Sequence, residues 1–252
     1  MPLRSYLDGR VFADVADGPG PLIVALHGWG RDRHDFRDAL SGYPHIRADL
    51  PGFGLSPPPP RAWGAADYAT CLAAALDECG LAEPAVLVGH SFGGRVAVCL
   101  AAARPDLVRG LVLCGVPLLR DPGRGRPSLG YRLARSARRA HLLSDRRFEA
   151  VRASRASADY NAAAGVMREV LVTVVNESYD AQLRAITCPV ALLWGARDRA
   201  VPAAMADRAS ALLAGPVTAE VIGGAGHDVH LQEPARLTSM ISEVLAAGRV
   251  SP

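Results

Sequence analysis

"LVGHSFGGRVAV", residues 87–98, places a serine among glycines, between an apolar run and a stretch with helical spacing. The pentapeptide Gly89-His90-Ser91-Phe92-Gly93 has the pattern G-x-S-x-G. In a sharp strand-to-helix turn a strained backbone lifts the serine hydroxyl clear of the sheet, and the residues two before and two after must be small. The stretch therefore predicts a buried strand, an exposed Ser91, and a helix whose free N–H groups stabilise negative charge.

Further apolar runs of strand length occur before and after this turn. They cover residues 21–28, 45–52, 84–90, 108–115, 188–195 and 218–224. Helical spacing lies between several of them, at residues 67–79, 92–103, 203–213 and 234–247. Near the N-terminus, Asp8-Gly9 separates two short alternating runs and indicates a β-hairpin. Alternating strands and helices predict an α/β fold with a mostly parallel, doubly wound sheet.

One long region interrupts the alternation. Residues 117–187 contain no clear strand, and two stretches within them, 129–143 and 159–175, have the apolar spacing of amphipathic helices. In the second stretch Val166, Val170, Leu171 and Val174 share one face. We therefore predict a core of residues 1–116 and 188–252, with residues 117–187 inserted as a helical cap or lid. The sheet is expected to continue across this insertion.

A serine hydroxyl is a weak nucleophile that needs a neighbouring base and an acid to orient that base. His227, in the glycine-rich stretch "GGAGHDVH", follows the strand at 218–224. Asp198, in "LLWGARD", follows the strand at 188–195. Both lie just past strand C-termini, at the edge of the sheet where Ser91 is expected. The sequence therefore predicts a Ser91–His227–Asp198 triad.

These motifs, which span essentially the whole chain, resemble the α/β-hydrolase fold superfamily. "HGWG" at 27–30, "DLPGFGLS" at 49–56 and "GHSFGG" at 89–94 are similar to the small capped carboxylesterases, including those that cleave methyl esters of acids bound to acyl carrier protein. The resemblance implies that the backbone N–H groups of Trp29 and Phe92 form the oxyanion hole. It also implies acyl transfer through a covalent serine intermediate.

Two positions have rivals in the sequence. His230 lies three residues after His227, and Asp121 stands where some members of the superfamily carry the acid. We favour His227 because it directly follows the glycine-rich loop after a strand and His230 is expected to turn away, and Asp198 because no strand directly precedes Asp121. Read together, the two histidines form H-x-x-H, but without a third ligand the pair does not indicate a metal, and we predict no metal or cofactor.

Three polar residues near the motifs are interpreted as structural. His27 is expected to bond loop backbone, His90 occupies the x position before the nucleophile, and Asp49 is expected to fix its own turn.

Charge is concentrated in part of the predicted cap. Residues 120–155 hold eleven arginines and only three acidic residues. A solvated helix face accounts for such a run most simply. The alternative is a docking surface for an anionic substrate or an acidic partner, and an acyl carrier protein has the required negative surface.

Composition restricts the remaining possibilities. Half of the 252 residues are hydrophobic and 21% are charged, as in a soluble globular chain. The net charge of +3 is too small to indicate nucleic acid. Five scattered cysteines without a C-x-x-C pair favour a reducing, cytoplasmic location. We find no signal peptide and no apolar run near the roughly 18 residues of a membrane span.

The sequence therefore predicts a serine hydrolase acting on a small carboxylic ester or thioester. Two alternatives stay open. One is a carbon–carbon bond hydrolase for vinylogous diketones, which uses the same triad. The other is a non-hydrolytic biosynthetic or ligand-binding protein on the same fold.

Overall fold

The computed structural model describes residues 2–120 and 158–248, together with the isolated positions 138 and 144. Its strands are β1 (Leu3–Tyr6), β2 (Val11–Ala16), β3 (Ile23–Leu26), β4 (His45–Asp49), β5 (Ala85–His90), β6 (Val108–Cys114), β7 (Val190–Gly195) and β8 (Val217–Ile222). Its helices are α1 (Ala65–Cys79), α2 (Phe92–Ala103), α3 (Ala158–Ala162), α4 (Gly165–Val174), α5 (Asp180–Ala185), α6 (Ala204–Ser210), α7 (Val229–Gln232) and α8 (Pro234–Ala247).

The strands form one eight-stranded sheet in the order β1-β2-β4-β3-β5-β6-β7-β8. β1 pairs antiparallel with β2, and β2 antiparallel with β4, while every other neighbouring pair is parallel. The predicted hairpin is confirmed, and its turn places Leu7, Asp8 and Gly9 at positive φ. The predicted mostly parallel α/β sheet is confirmed as well.

Hydrophobic residues cover both faces of the sheet, because strands buried on two sides alternate between two cores. Along β3, Val24 and Leu26 pack in the core that contains α1 and α2. Ile23 and Ala25 point to the opposite core, which contains α8. The sheet is therefore doubly wound, as predicted, and both faces of its central strands are inaccessible to water.

Two helical predictions differ from the structure in their boundaries. The stretch 159–175, expected as one helix, is divided into α3 and α4, which are separated at residues 163–164 just before Gly165 takes a φ of 51°. Val170, Leu171 and Val174 are buried as expected, whereas Val166 is only half-buried. The helix expected at 203–213 is shorter, since α6 ends at Ser210.

The sheet continues across the long region between β6 and β7. These strands pair directly in parallel, with Cys114 opposite Leu193. The described residues of that region form α3, α4 and α5. The helix expected at 129–143 lies outside the described residues, apart from position 138.

All five cysteines are free thiols. Cys99 and Cys114 are buried, in keeping with the small hydrophobic role of unpaired cysteine. Among the described residues, the helices are all too short or too polar to span a bilayer.

We expect Gly110→Ala to destabilise the fold, because β6 and α8 approach each other closely at this residue. A Cβ there would lie 2.4 Å from Cγ1 of Val244 and 3.3 Å from the Pro189 carbonyl oxygen. Urea unfolding should show a loss of about 1–3 kcal/mol, the usual cost of overpacking a core. Gly223→Ala is the control, since no atom lies within 4 Å of its added Cβ. Equal stability of the two variants would contradict this account.

Candidate active site

Ser91 lies at the turn between β5 and α2, where the backbone is strained. Its φ is +46° and its ψ is −108°, a conformation that non-glycine residues rarely adopt. A Cβ on Gly89 would lie 2.5 Å from the Cα of Gly94, and a Cβ on Gly93 would lie 2.1 Å from the Leu26 carbonyl oxygen. The requirement for small residues on both sides of Ser91 is therefore confirmed.

Two loops bring Asp198 and His227 to this turn. Asp198 follows β7, and its Oδ1 accepts hydrogen bonds of 2.7 Å from the backbone N–H groups of Ala200 and Val201. His227 follows β8, with its Nδ1 2.8 Å from Asp198 Oδ2 and its Nε2 3.2 Å from Ser91 Oγ. The structure thus brings the three sequence-predicted residues into one hydrogen-bonded chain.

The order of these contacts fixes where the protons are. An ionised carboxylate only accepts hydrogen bonds, so Nδ1 of His227 carries the proton that it donates to Asp198. Nε2 is then the acceptor for the hydroxyl of Ser91. This tautomer is the one that a general base at a serine requires.

The two residues whose N–H groups are predicted to bind an oxyanion both line the cavity that Ser91 lines. Phe92 is the first residue of α2, and Trp29 lies in the loop after β3. Their rings pack edge to face with centroids 5.4 Å apart, and Phe53 packs against Trp29 at 5.0 Å. Within the described part of the chain, neither N–H donates a hydrogen bond. These aromatic contacts hold the loop that carries Trp29 against the loop that carries Phe53 and against the start of α2.

A cavity of about 700 Å³ opens beside Ser91 and His227. Its described lining combines apolar side chains with the guanidinium groups of Arg95, Arg120 and Arg208 and the carboxylates of Asp159 and Glu177. Glu177 is occupied by hydrogen bonds from the Ala65 N–H and the Tyr179 hydroxyl. The cavity therefore offers an apolar volume with several cationic groups on its walls.

Arg95 is a buried member of that lining. It lies on α2, one turn after Ser91, and it is 7% exposed. Its Nη1 donates to the carbonyl of Val174, its Cζ is 5.9 Å from the centroid of the Tyr179 ring, and its Nε has no partner. Burial lowers the pKa of this guanidinium because its charge is only partly compensated.

The residues interpreted as structural do bond the backbone. His27 donates from Nδ1 to the Gly28 carbonyl and accepts at Nε2 from the Leu50 N–H. Asp49 accepts from the N–H groups of Arg33 and Leu55, which fixes the loop that follows β4. Both interpretations are confirmed.

The rivals of the triad residues have different outcomes. His230 turns away from Ser91 and lies 3.2 Å from the carboxylate of Asp35. Asp121 lies outside the described residues. His90 does more than fill its position, because its Nε2 bonds the backbone carbonyl of His227.

Sequence analysis missed two buried charged residues near the site, Arg95 and Asp35. Each has a weak local signal, namely a charged residue at an otherwise apolar position of a predicted helix or loop. Their roles depend on partners at remote positions, Val174 for Arg95 and His230 for Asp35.

The sequence that forms this fold matches a known family. The alpha/beta hydrolase family matches residues 23–239, and the chain therefore belongs to it. Membership, with lipase and esterase relatives, supports hydrolase activity for this protein.

Three curated relatives illustrate the range within the family. The 2-succinyl-6-hydroxy-2,4-cyclohexadiene-1-carboxylate synthase of Enterobacter sp. is 30% identical over 91% of this chain and 94% of its own. Lipase LipV of Mycobacterium tuberculosis is 42% identical over 46% of each chain. The pimeloyl-[acyl-carrier protein] methyl ester esterase of Neisseria meningitidis is 40% identical over 36% of this chain and 34% of its own. The chain thus spans less than half of the lipase and of the esterase.

Solved structures support the same fold. The esterase RhEst1 from Rhodococcus sp. superposes with a TM-score of 0.69 at 26% identity, covering 98% of this chain and 99% of that protein.

We expect stability to fall as the pH drops below about 6.5, the usual histidine pKa. Burial lowers the pKa of His27, His45 and His90, so the folded state keeps these imidazoles neutral while the unfolded chain takes up protons. Each such group contributes up to about 1.4 kcal/mol of lost stability per pH unit. Urea unfolding at pH 7.5 and 5.5 measures the loss, and His45→Gln should make it shallower. Equal stability at both pH values would exclude this explanation.

Proposed function

We propose that this protein is a serine hydrolase that cleaves a carboxylic ester or thioester through an acyl-enzyme. The observation that carries the proposal is the chain of contacts from Ser91 Oγ to His227 Nε2 at 3.2 Å and from His227 Nδ1 to Asp198 Oδ2 at 2.8 Å. In this proposal the backbone N–H groups of Trp29 and Phe92 form the oxyanion hole. The side-chain rings of the same two residues pack against each other.

The reaction follows from the positions of these groups. His227 Nε2 takes the hydroxyl proton as Ser91 Oγ attacks the substrate carbonyl carbon. Asp198 stabilises the imidazolium and keeps the ring oriented. The two N–H groups stabilise the negative oxygen of the tetrahedral intermediate, and His227 then protonates the leaving alcohol or thiol. Water, deprotonated by His227, releases the acid and restores the serine.

Ser91→Ala should strongly reduce turnover of p-nitrophenyl esters from acetate to laurate, since it removes the hydroxyl that forms the acyl-enzyme. We expect kcat to fall by at least about 1,000-fold, while the remaining oxyanion hole still gives weak catalysis. Thermal unfolding should show that the variant stays folded. A folded wild-type protein without activity on any ester would reject the proposal, as would full activity of the variant.

We further propose that the substrate carries a negative charge away from the reacting carbonyl. Arg95, Arg120 and Arg208 line the cavity, and among the described residues none of them forms an ion pair with a carboxylate. A substrate carboxylate would supply the missing partner for a buried guanidinium. The name of the synthase relative, whose product is a carboxylate, agrees with this proposal.

Arg95→Met should therefore reduce kcat/KM for p-nitrophenyl hydrogen glutarate more than for p-nitrophenyl valerate. The two esters have acyl chains of equal carbon number and differ in the terminal carboxylate. We expect a change of on the order of 10-fold or more in their ratio, the value of a charge-assisted hydrogen bond. The ratio removes any common effect of the substitution on folding. An unchanged ratio would argue that Arg95 only holds α4 to α2.

A second candidate function has one specific observation in its favour. The synthase relative is the one that aligns over nearly the full length of both chains, which the lipase and the methyl ester esterase do not. A non-hydrolytic biosynthetic step at the same serine is the alternative, and product analysis without net ester cleavage would identify it. A carbon–carbon bond hydrolase would use the same three residues, and turnover of a vinylogous diketone would distinguish it.

The remaining parts of the proposal concern the surroundings of the site. We propose that residues 117–187 act as a cap over the cavity, since Val174, Glu177 and Arg120 contribute to its wall. An acyl carrier protein stays a proposed partner, supported by the name of the Neisseria relative. Most of the arginine-rich segment 120–155 that would bind it lies outside the described residues. A cytoplasmic location is likewise proposed.

A further inference from the structure

A buried polar cluster lies directly behind the catalytic histidine. It consists of Asp35, His90 and His230, which are 7%, 2% and 1% exposed. Asp35 belongs to a short 3-10 helix at Arg33–Phe36, His90 ends β5, and His230 lies on α7. None of these three residues is in the lining of the cavity beside Ser91, and the reaction described above does not use them.

The carboxylate of Asp35 contacts three separate segments of the chain. Its Oδ2 lies 3.2 Å from His230 Nε2 and 3.8 Å from His90 Nδ1, and it accepts a 3.4 Å hydrogen bond from the Gly28 N–H. Its Oδ1 accepts from the guanidinium of Arg31. The loop after β3, the end of β5 just before Ser91, and helix α7 just after His227 therefore meet at one carboxylate.

His90 connects this cluster to the general base. Its Nε2 donates a 3.2 Å hydrogen bond to the backbone carbonyl of His227. The carbonyl is confined on its other side, since a Cβ on Gly115 would lie 3.2 Å from it. The loop that carries Gly28 and Trp29 packs on the same ring, because a Cβ on Gly28 would lie 2.5 Å from His90 Nδ1.

Electrostatics favour a neutral imidazole in this position. Burial, with the nearby imidazoles of His230 and His227, holds the pKa of His90 well below its usual value of 6.5. Burial alone would raise the pKa of Asp35, but the contacts with His230 and Arg31 outweigh it and lower that pKa. A neutral His90 with its proton on Nε2 can donate to the His227 carbonyl throughout the neutral pH range.

A metal ion would be the other use of an Asp-His-His cluster, and the ring geometry disfavours it. The imidazoles of His90 and His230 are stacked, with centroids 4.0 Å apart and planes inclined by 30°. One potential donor atom from each of the three residues lies within 4.8 Å of the others. The in-plane lone pairs of two stacked rings nevertheless run side by side and do not point at a common ion. Arg31 also places a positive charge on the carboxylate that would be the third ligand.

We propose that His90 is a positioning residue, which holds the His227 backbone at the distance from Ser91 that proton transfer needs. His230, which lies 3.2 Å from Asp35, supports the imidazole of His90 by stacking on it. The inference rests on the proposed function, because it assigns a partner to the general base. In this proposal the His90 side chain connects the loop that carries His227 to the loop that carries Trp29.

The decisive comparison is between His90→Gln and His90→Asn. The amide nitrogen of Gln lies as many bonds from Cα as Nε2 of His, so it can still donate to the His227 carbonyl. The amide of Asn is one bond shorter and corresponds to Nδ1. We expect His90→Asn to lower kcat by on the order of 10- to 100-fold with little change in KM, as for a displaced catalytic group. His90→Gln should restore most of kcat.

His45→Gln and His45→Asn are the matched controls. His45 is also a buried imidazole, 3% exposed, but it begins β4 at the opposite edge of the sheet and bonds the Tyr43 carbonyl. Both control variants should lose stability without a loss in kcat. A fall in kcat that follows thermal stability across all four variants would overturn the proposal.

Proton NMR gives a readout that does not depend on turnover. The proton between His227 Nδ1 and Asp198 should give a low-field resonance in the spectra of the wild type and of His90→Gln. This resonance should be absent from the spectrum of His90→Asn. Identical spectra or identical kcat values for the two His90 variants would overturn the proposal. If the wild type cleaves no ester, the proposed function fails, and the NMR comparison still decides the role of His90.

A double-substitution cycle tests the link to Asp35. If Asp35 acts through His90, then Asp35→Asn combined with His90→Asn should be no slower than the worse single variant. If the fold-loss of kcat in the double variant equals the product of the two single losses, Asp35 does not act through this imidazole.

Discussion

The close approach of α2 to β3 and β5 is the constraint on which the site depends. Gly93 packs its Cα against the carbonyl of Leu26, and Gly89 packs against Gly94. With no side chains in between, the chain can reverse direction within one residue, and that residue is held at a φ of +46°. The strain at Ser91 is maintained by a sheet whose central strands are buried on both faces, so rigid surroundings keep the hydroxyl in place.

The rest of the site is arranged around that turn by strand order. Parallel pairing puts the C-termini of β3, β5, β7 and β8 at one edge of the sheet, and the loop after each strand supplies one element of the site. Loops alone are mobile, so their mutual positions need further contacts. The aromatic packing of Trp29, Phe53 and Phe92 supplies those contacts on the cavity side. The Asp35 carboxylate supplies them on the opposite, buried side.

Local sequence was sufficient for much of this description. The strands were predictable because continuous apolar runs are required when both faces are covered, and Ser91 was predictable because its glycines have a steric purpose. His227 was preferred to His230 because it directly follows the glycine-rich loop after a predicted strand. The division of 159–175 into α3 and α4 was not predictable, since its apolar spacing continues through the break. Arg95 and Asp35 were missed because their roles depend on contacts with Val174 and His230, residues far away in the sequence that no local pattern includes.

The direct pairing of β6 with β7 has an evolutionary consequence. The chain leaves the sheet after Cys114, at the C-terminal end of β6, and re-enters it at Val190, the N-terminal start of β7, which lies opposite Leu111. Because these two strands pair directly with each other, their register does not depend on the segment between them. Such a segment can be lengthened, shortened or exchanged as one cassette without altering the register of any strand. Because Val174, Glu177 and Arg120 on that segment line the cavity, recombination there can change what enters the pocket while the strand-end loops keep the same reactive groups.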